Sequence, residues 1–287
     1  MVRSVRLTGG ITSTVHAVTI ESRDGRRRRL VLRRWTDRPT GSDTGDDPVD
    51  AVRREAVVLD AIAHVDVPAP RLVAADPEGR RAGCPALLMT RLPGRIDLTP
   101  RDPDAWLHRV AELLPTLHAV TPAAVLPSYT SWLELDDIDV PSWSRRPQLW
   151  RAAIDIARAA PPVTADGFVH HDYQPFNLLW RPGGRLCGVV DWVWASQGPP
   201  DDDVAHCRLN LCLLYSAERA EQFRQRYERA AGRAMDTWWA VASLVDYLGG
   251  WTAEGLQEQA GRRLRVDAAG IDARVEELLA MTLRAAG

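Results

Sequence analysis

The sequence predicts an α+β protein with two lobes, a small antiparallel-sheet lobe over residues 1–93 and a larger helical lobe over residues 94–287. Short alternating apolar runs separated by turn signals fill most of the first third of the chain, which is typical of antiparallel strands. Most of the remainder carries apolar residues at helical spacing. The composition changes at Pro93-Gly94, a pair that interrupts regular structure.

The sheet lobe begins with two short strands, and a turn signal at Asp24-Gly25 precedes a third strand that starts at Leu30. A helix then begins at Asp47-Pro48, because an N-cap carboxylate followed by proline is a favoured helix start. Apolar residues continue at helical spacing to about residue 64. The predicted strands of this lobe cover residues 5–9 and 14–21, a run from residue 30, and residues 71–76 and 85–91.

The helical lobe is predicted to contain five helices, with a segment of different character between the second and the third. Residues 166–203 hold short apolar runs broken by polar turns, which indicates short strands and loops. The predicted helices cover residues 103–120, 145–160, 203–231, 235–258 and 270–285.

All 36 basic residues of this 287-residue chain are arginines, so the chain has no lysine. This excludes two classes of enzyme, because a Walker A phosphate loop needs its lysine and Schiff-base chemistry needs an amine side chain. The formal net charge is −2 at pH 7. A charge so near zero gives no support for a nucleic acid or a membrane surface as partner, and we expect neither.

The four cysteines also bear on the class of protein. Cys84, Cys187, Cys207 and Cys212 show no CxxC spacing, and in a chain of this length they are expected to be reduced thiols. No apolar run approaches the roughly 18 residues of a membrane helix, and the N-terminus lacks the apolar stretch of a secretory signal. We therefore expect a cytoplasmic protein, and the sequence leaves its oligomeric state open.

One segment carries a recognisable set of polar residues. His170, Asp172 and Asn177 form an H-x-D-x-x-x-x-N pattern, and a predicted hairpin then leads to Asp191 at the end of an apolar strand. Phosphoryl transfer from ATP needs such a set, because a carboxylate must orient the acceptor hydroxyl and oxygen ligands must hold magnesium on the phosphates. The hairpin places Asn177 and Asp191 on adjacent strands, where both can reach one ion.

This pattern resembles the aminoglycoside phosphotransferase family, a group of small-molecule phosphotransferases with a bilobal protein-kinase-like fold. The resemblance covers roughly residues 5–255 and is strongest at 166–206. It implies that ATP and Mg2+ are the cofactors. It also implies that Asp172 is the catalytic carboxylate, that His170 braces the catalytic loop, and that Asn177 and Asp191 are the magnesium ligands.

Two neighbouring positions extend the comparison. The run from Gly198 to Ala205 is similar to the family's G-D-P-x-x-D-L-A, which implies that Asp203 anchors the catalytic loop from the following helix. His171 departs from the pattern, because the family usually has glycine there. A bulky side chain at this position is expected to alter the loop or the acceptor pocket.

The N-terminal lobe is expected to bind the nucleotide. The segment from Leu7 to Thr14 resembles the family's glycine-containing nucleotide loop, and Gly10 and Ser13 are the candidate phosphate contacts. The segment from Leu88 to Gly94 resembles the hinge between the lobes, where the backbone at Thr90 and Leu92 would bind adenine.

A cation on the third strand is the remaining requirement. Protein kinases place there a lysine that pairs with a helix glutamate, and in this chain Arg33 occupies the matching position. Glu55 lies on the apolar face of its helix, three residues after Val52, so its carboxylate needs a buried cation. Arg33 is the natural partner, and Arg34 on the opposite strand face is the alternative.

The expected activity is ATP-dependent phosphorylation of a hydroxyl on a small molecule, with residues 1–93 binding nucleotide and residues 94–287 supplying catalysis and the acceptor site. The resemblance admits aminoglycosides and other antibiotics, which would make this an antibiotic-resistance enzyme. The alternatives are a kinase for a metabolite such as an amino alcohol or a sugar, and a kinase-like protein that binds nucleotide without turnover.

The aromatic cluster Trp238, Trp239, Tyr247 and Trp251 falls in the region that lines the family's acceptor pocket.

Overall fold

A computed structural model describes residues 3–7, 13–22, 24–36, 47–164 and 166–286. The chain divides into two compact units. The first contains Met1–Asp97, Thr121–Pro127 and Phe176–Ala195, and the second contains Leu98–Val120, Ser128–Pro175 and Ser196–Gly287. The sequence predicts one boundary after residue 93, whereas in the structure the first unit also includes the two later segments Thr121–Pro127 and Phe176–Ala195.

The first unit is built on a five-stranded antiparallel sheet in the order β1-β2-β3-β5-β4. One helix, α1, packs with it. This helix starts where the sequence predicts, because the Asp47 side chain accepts a hydrogen bond from the Val49 N–H and Pro48 occupies the first turn. The elements are β1 (Arg3–Arg6), β2 (Thr14–Glu21), β3 (Arg27–Arg34), α1 (Pro48–Ala61), β4 (Leu72–Asp76) and β5 (Ala86–Thr90).

Backbone hydrogen bonds join the two later segments to this unit. The Ala123 N–H donates to the Ala61 carbonyl at the end of α1, at 2.9 Å. The hairpin formed by β7 (Leu178–Arg181) and β8 (Arg185–Val189) is joined through the Val189 N–H, which donates to the Pro68 carbonyl at 2.8 Å. A side chain could not replace Gly94 beside this hairpin, because its φ is +117° and a Cβ there would lie 2.7 Å from Cys187 Sγ.

The second unit is mostly helical. Its central helix is α4, which is buried along most of its length and is packed by α5, α6 and α8. The helices are α2 (Pro103–His118), α3 (Pro147–Arg158), α4 (Pro200–Leu214), α5 (Ala217–Ala231), α6 (Thr237–Asp246), α7 (Ala253–Ala260) and α8 (Ile271–Ala286), and a two-stranded sheet pairs β6 (Gly167–Val169) with β9 (Ser196–Gly198). Within the described residues, no helix is both long enough and apolar enough to cross a membrane.

Two predicted helices are wrong in extent. The helix predicted over 203–231 is two helices, because Ser216 leaves the helical conformation and its hydroxyl caps α5 by accepting from the Arg219 N–H. The helix predicted over 235–258 ends in a 3-10 turn at Tyr247–Gly249, and Gly250 follows with φ +138°. In both cases apolar residues continue at helical spacing beyond the end of the helix, and the end is marked only by a capping serine or a glycine.

Candidate active site

Arg33 is the buried cation of the first unit. It lies near the end of β3, opposite Val15 on β2 and Leu87 on β5, and its side chain is 7% exposed. Its Nη1 donates to Glu55 Oε2 at 3.0 Å, and the Glu55 side chain is 1% exposed. Arg34 lies on the other strand face, where its Nε contacts Cys84 Sγ at 3.5 Å. The predicted pairing of Arg33 with Glu55 is therefore confirmed, and the Arg34 alternative is wrong.

The same guanidinium also binds the predicted metal ligand Asp191. Arg33 Nη1 lies 2.6 Å from Asp191 Oδ1, and Nη2 lies 3.3 Å from Oδ2. Ser13 Oγ accepts a hydrogen bond from Arg33 Nε at 2.7 Å, so this predicted phosphate contact supports the arginine instead in this conformation. Every guanidinium nitrogen therefore has a partner in the cluster formed by Arg33, Ser13, Glu55 and Asp191, which we call the arginine cluster.

The electrostatics of the arginine cluster are dominated by burial and by the two carboxylates. Burial lowers the pKa of Arg33, but Asp191 and Glu55 outweigh this effect and hold the pKa above its ordinary value, so the cation is fixed. Burial and the charge of Asp191 raise the pKa of Glu55, against the opposing effects of Arg33 and the Trp192 N–H. Two carboxylates thus share one guanidinium, which leaves an excess of negative charge.

Asn177 and Asp191 lie at neighbouring ends of the β7–β8 hairpin, as the sequence predicts. Leu178 pairs with Val189, and the Val190 N–H donates to the Asn177 carbonyl at 3.0 Å. Asp191 has φ +67°, a left-handed conformation that is uncommon for a residue other than glycine. Such strain at the end of a strand indicates that the position of the carboxylate matters.

The donor types of Asn177 and Asp191 would suit a magnesium ion. The amide and carboxylate oxygens of Asn177 and Asp191 are hard ligands, and Mg2+ is usually held by one or two such side chains together with phosphates and water. Among the described residues, no group of three or more His, Cys, Asp or Glu side chains could enclose a metal. The excess negative charge of the arginine cluster would also attract a divalent cation.

The loop of the second unit that carries His170 and Asp172 is held by Asp203. Its carboxylate, which is fully buried on α4, accepts hydrogen bonds from the His170 N–H at 2.9 Å and the His171 N–H at 2.7 Å. His118 Nε2 lies 3.2 Å from the same carboxylate. This is the anchoring predicted for Asp203. His170 acts within the loop itself, because its buried Nδ1 accepts from the Asp172 N–H at 3.3 Å.

Asp172 has two side-chain neighbours that sequence reasoning missed. Gln174 Nε2 donates to Asp172 Oδ1, and His206 Nε2 lies 3.1 Å from the same oxygen. A signal for His206 was present, because it follows Asp203 by three residues on one helix and so lies on a similar face. A residue that shares the face of the loop anchor is a good candidate to reach the loop.

His171, which replaces the family's usual glycine, adopts the backbone conformation that glycine favours. Its φ is +67°, and its ring is buried. The ring stacks on Trp132 with centroids 4.0 Å apart and planes at 15°, and Tyr129 packs against it at 4.8 Å. Burial lowers the pKa of His171 to about 4, so the imidazole is neutral at physiological pH.

A pocket of the second unit lies beside this stack. Two of its polar residues are half-buried acids: partial burial raises the pKa of Asp202 to about 8 and also raises the pKa of Asp246. The sequence pointed to Trp238 and Trp239 but not to Trp132. The aromatic and polar lining includes Trp132, His171, Asp202, His206, Trp238, Trp239 and Asp246, and we call this site the tryptophan pocket.

Other predicted residues lie elsewhere or contribute less. Gly10 is outside the described residues. The Thr90 N–H donates to the Arg71 carbonyl at 2.9 Å, so this donor holds β4 and is not available to a base. Leu92 packs close to Gly188 of the hairpin. Tyr247 donates its hydroxyl to Asp272, away from the pocket lining, whereas Trp251 packs near His206 with ring centroids 6.0 Å apart.

Comparisons with known proteins bear on the family and the fold of this chain. A sequence model of a family described as phosphotransferase enzyme family matches residues 6–242. The chain is also 26% identical over 206 residues to acyl-CoA dehydrogenase family member 10 of Mus musculus. That match covers 66% of this chain but only 18% of the mouse protein.

Solved structures of similar fold include three enzymes whose names refer to an antibiotic or a class of antibiotics. A thermostable mutant of aminoglycoside phosphotransferase APH(4)-Ia, in ternary complex with ADP and hygromycin B, is 18% identical with a TM-score of 0.60, over 97% of this chain and 94% of that one. Macrolide 2'-phosphotransferase type I is 18% identical with a TM-score of 0.57, over 92% and 91%. Amicoumacin kinase hAmiN is 14% identical with a TM-score of 0.56, over 97% and 88%. At these identities the likeness concerns the fold, and it confirms the predicted α+β protein-kinase-like class.

Proposed function

The chain belongs to the phosphotransferase enzyme family, and on that premise we propose that it is an ATP-dependent kinase that phosphorylates a hydroxyl group of a small molecule. The observation that supports this most directly is the arginine cluster. A chain without lysine keeps a buried cation at the third-strand position and pairs it with a helix glutamate and a strand-end aspartate. A structural role alone would not require the partly exposed Asp191, whose side chain is 33% exposed.

In the proposed reaction, the acceptor hydroxyl oxygen forms a bond to the γ-phosphorus of ATP while the bond to the bridging oxygen breaks and ADP leaves. Asp172 orients the hydroxyl and takes its proton. Because little covalent chemistry falls to the protein, catalysis comes from positioning and from stabilising charge. The hydrogen bonds that the Asp203 carboxylate accepts from the loop serve the first of these tasks, since they fix the backbone on both sides of His170.

The first unit would bind the nucleotide. Arg33 would neutralise phosphate charge, and its guanidinium differs from a lysine ammonium because it is planar and can engage two oxygens at once. Asn177 and Asp191 would hold magnesium, which when bound neutralises charge on the β- and γ-phosphates. The backbone after Thr90, including Leu92, remains the proposed contact for adenine.

The acceptor is proposed to bind in the tryptophan pocket. His206 lines this pocket and also contacts Asp172, so a molecule seated there would lie close to the catalytic carboxylate. Three of the structural neighbours are named for an antibiotic or a class of antibiotics, which favours an antibiotic acceptor and a resistance role. A metabolite kinase is the second candidate, because aromatic walls and half-buried acids are equally suited to a small amino alcohol.

The decisive experiment is an ATP-consumption screen over aminoglycosides, macrolides, amino alcohols and sugars, with mass spectrometry of any product. We expect one class of acceptor to gain the mass of a single phosphoryl group. Asp172→Asn should abolish product formation, whereas the exposed variant Asp155→Asn on α3 serves as a matched control. If ATP stabilises the protein against heat but no acceptor is phosphorylated, the chain is a nucleotide-binding protein without turnover.

A further inference from the structure

His206 is the side chain of α4 that contacts the catalytic carboxylate. It stands one turn after Asp203, so one helix both anchors the backbone of the loop and reaches Asp172. His206 Nε2 lies 3.1 Å from Asp172 Oδ1, and the His206 side chain is 11% exposed. An ionised carboxylate has no hydrogen to donate, so the hydrogen of this contact belongs to the imidazole.

The imidazole is held from several sides. Its ring packs edge-on against Trp132, with centroids 5.6 Å apart, and lies near Trp251. Asn210, one turn further along α4, donates its Nδ2 to the His206 backbone carbonyl at 3.0 Å and places the same nitrogen 3.2 Å from His206 Nε2 on the ring. The ring is therefore fixed by its surroundings before any substrate binds, which is the condition for orienting another group.

The charges around His206 favour its cationic form. Asp172 faces it from the catalytic loop and acts most strongly, whereas Asp202 on its own helix and Asp246 on α6 act only where they are ionised, and His171 on the loop is neutral. Burial lowers the pKa of His206, but these carboxylates outweigh the effect and raise the pKa above its ordinary value. A raised pKa means that the cation persists to higher pH and is lost as the pH rises through that value.

Building on the proposed kinase activity, we propose that His206 is a positioning residue, which holds the Asp172 carboxylate through a charge-assisted hydrogen bond and must carry its proton for full turnover. His206 and Gln174 both converge on Oδ1, so together they set the orientation of the carboxylate toward the acceptor. The proton taken from the acceptor goes to Asp172. His206 keeps its own proton throughout and is not consumed.

The first test compares three variants by steady-state kinetics across pH, with the acceptor found in the screen. His206→Ala should lower kcat about 10- to 100-fold, as expected for a misplaced catalytic group, with little change in the KM for ATP. His206→Gln keeps a neutral N–H donor, so it should retain more activity and lose the alkaline limb of the pH profile. His108→Gln changes an exposed histidine of α2 and should behave as the wild type.

The second test needs no turnover and so separates this proposal from the proposed function. The imidazole resonances of the seven histidines are followed by NMR as the pH is varied, and the resonance lost in His206→Gln identifies His206. Asp172→Asn removes the paired charge and should lower the pH at which His206 titrates. An unchanged titration in Asp172→Asn would overturn the proposal, as would an His206→Ala enzyme with the wild-type kcat and pH profile.

Discussion

Arg33 and Asp191 are 158 residues apart in the chain, yet Arg33 Nη1 lies 2.6 Å from Asp191 Oδ1 within one compact unit. The same nitrogen also donates to Glu55, so a single guanidinium joins a strand, a helix and the end of a hairpin. The geometry depends on a planar group with several donors, because an ammonium cannot reproduce two parallel contacts to one carboxylate.

The first prediction concerns the identity of this cation. Arg33→Lys should lower the affinity for ATP, measured as a smaller thermal shift with MgATP, because lysine binds as a point charge. Arg33→Ala should be more severe and cost about 3–5 kcal/mol of folding free energy in chemical denaturation, since it leaves the buried Glu55 carboxylate uncompensated.

Arg34→Lys is the matched control for the arginine cluster, because Arg34 is the adjacent arginine on the same strand and contacts Cys84 instead. We expect the Arg34 variant to bind ATP as the wild type does. An equal loss in the Arg33 and Arg34 variants would show that strand β3 in general, and not this guanidinium, sets the affinity.

The second prediction concerns the anchor of the catalytic loop. Asp203→Asn should cost about 1.5–3 kcal/mol, the value of a hydrogen bond to a charged group, and should also lower kcat. Burial raises the pKa of Asp203, but His118 and the His170 N–H outweigh it and hold the pKa below its ordinary value. The stabilisation is therefore present above the ordinary carboxyl pKa and disappears as the pH falls through the lowered one.

Urea denaturation of wild type and Asp203→Asn, repeated between pH 7 and pH 3, measures this dependence. The difference in free energy of unfolding should shrink toward the acid end. Asp155→Asn, an exposed change on α3, should show no comparable trend. A difference that stays constant down to pH 3 would mean that the loop does not depend on the charge of Asp203.

The third prediction uses the unusual backbone of His171. His171→Gly removes the ring but relieves the left-handed strain, whereas His171→Ala removes the ring and keeps the strain. The glycine variant should therefore be more stable than the alanine variant by about 1 kcal/mol. This order is the reverse of that in a helix or strand interior, where a glycine variant is less stable than an alanine variant.

Thermal denaturation of the two variants measures this order. Both variants should also change the KM for the acceptor, because the His171 ring lines the tryptophan pocket and stacks on Trp132. An alanine variant as stable as the glycine variant would indicate that the loop relaxes out of the left-handed conformation when the ring is removed.

Local patterns predicted the parts of the site that lie close in sequence or follow from periodicity. Glu55 was found because its helical spacing places a carboxylate among apolar residues, and the hairpin brought Asn177 beside the strand that leads to Asp191. The contact between Arg33 and Asp191 was not predictable in this way. It depends on how the hairpin packs in the first unit, and no local spacing encodes that packing.

The missed residues have the same explanation. Trp132 lies in an irregular stretch, where no period distinguishes a packed tryptophan from an exposed one. The break at Ser216 was hidden because apolar spacing continued through it, although a serine that caps the following helix is a recognisable signal. Local chemistry thus marked the elements, while tertiary packing decided which side chains meet.

The fourth prediction concerns Asp202, which lines the tryptophan pocket. Burial and the nearby Asp203 raise the pKa of Asp202 to about 8, so its charged form is disfavoured in the folded protein. A raised carboxyl pKa contributes stability that is complete below the ordinary value and is lost as the pH rises toward the raised one. Asp202→Asn cannot ionise and keeps an oxygen for the Tyr129 hydroxyl, which donates at 2.9 Å. It should therefore match the wild type at pH 4 and exceed its free energy of unfolding by more than about 1 kcal/mol at pH 8.

Urea denaturation at both pH values measures this difference in the free energy of unfolding, with Asp155→Asn as the exposed control. A variant that is less stable than the wild type at pH 8 would mean that a partner compensates the ionised Asp202.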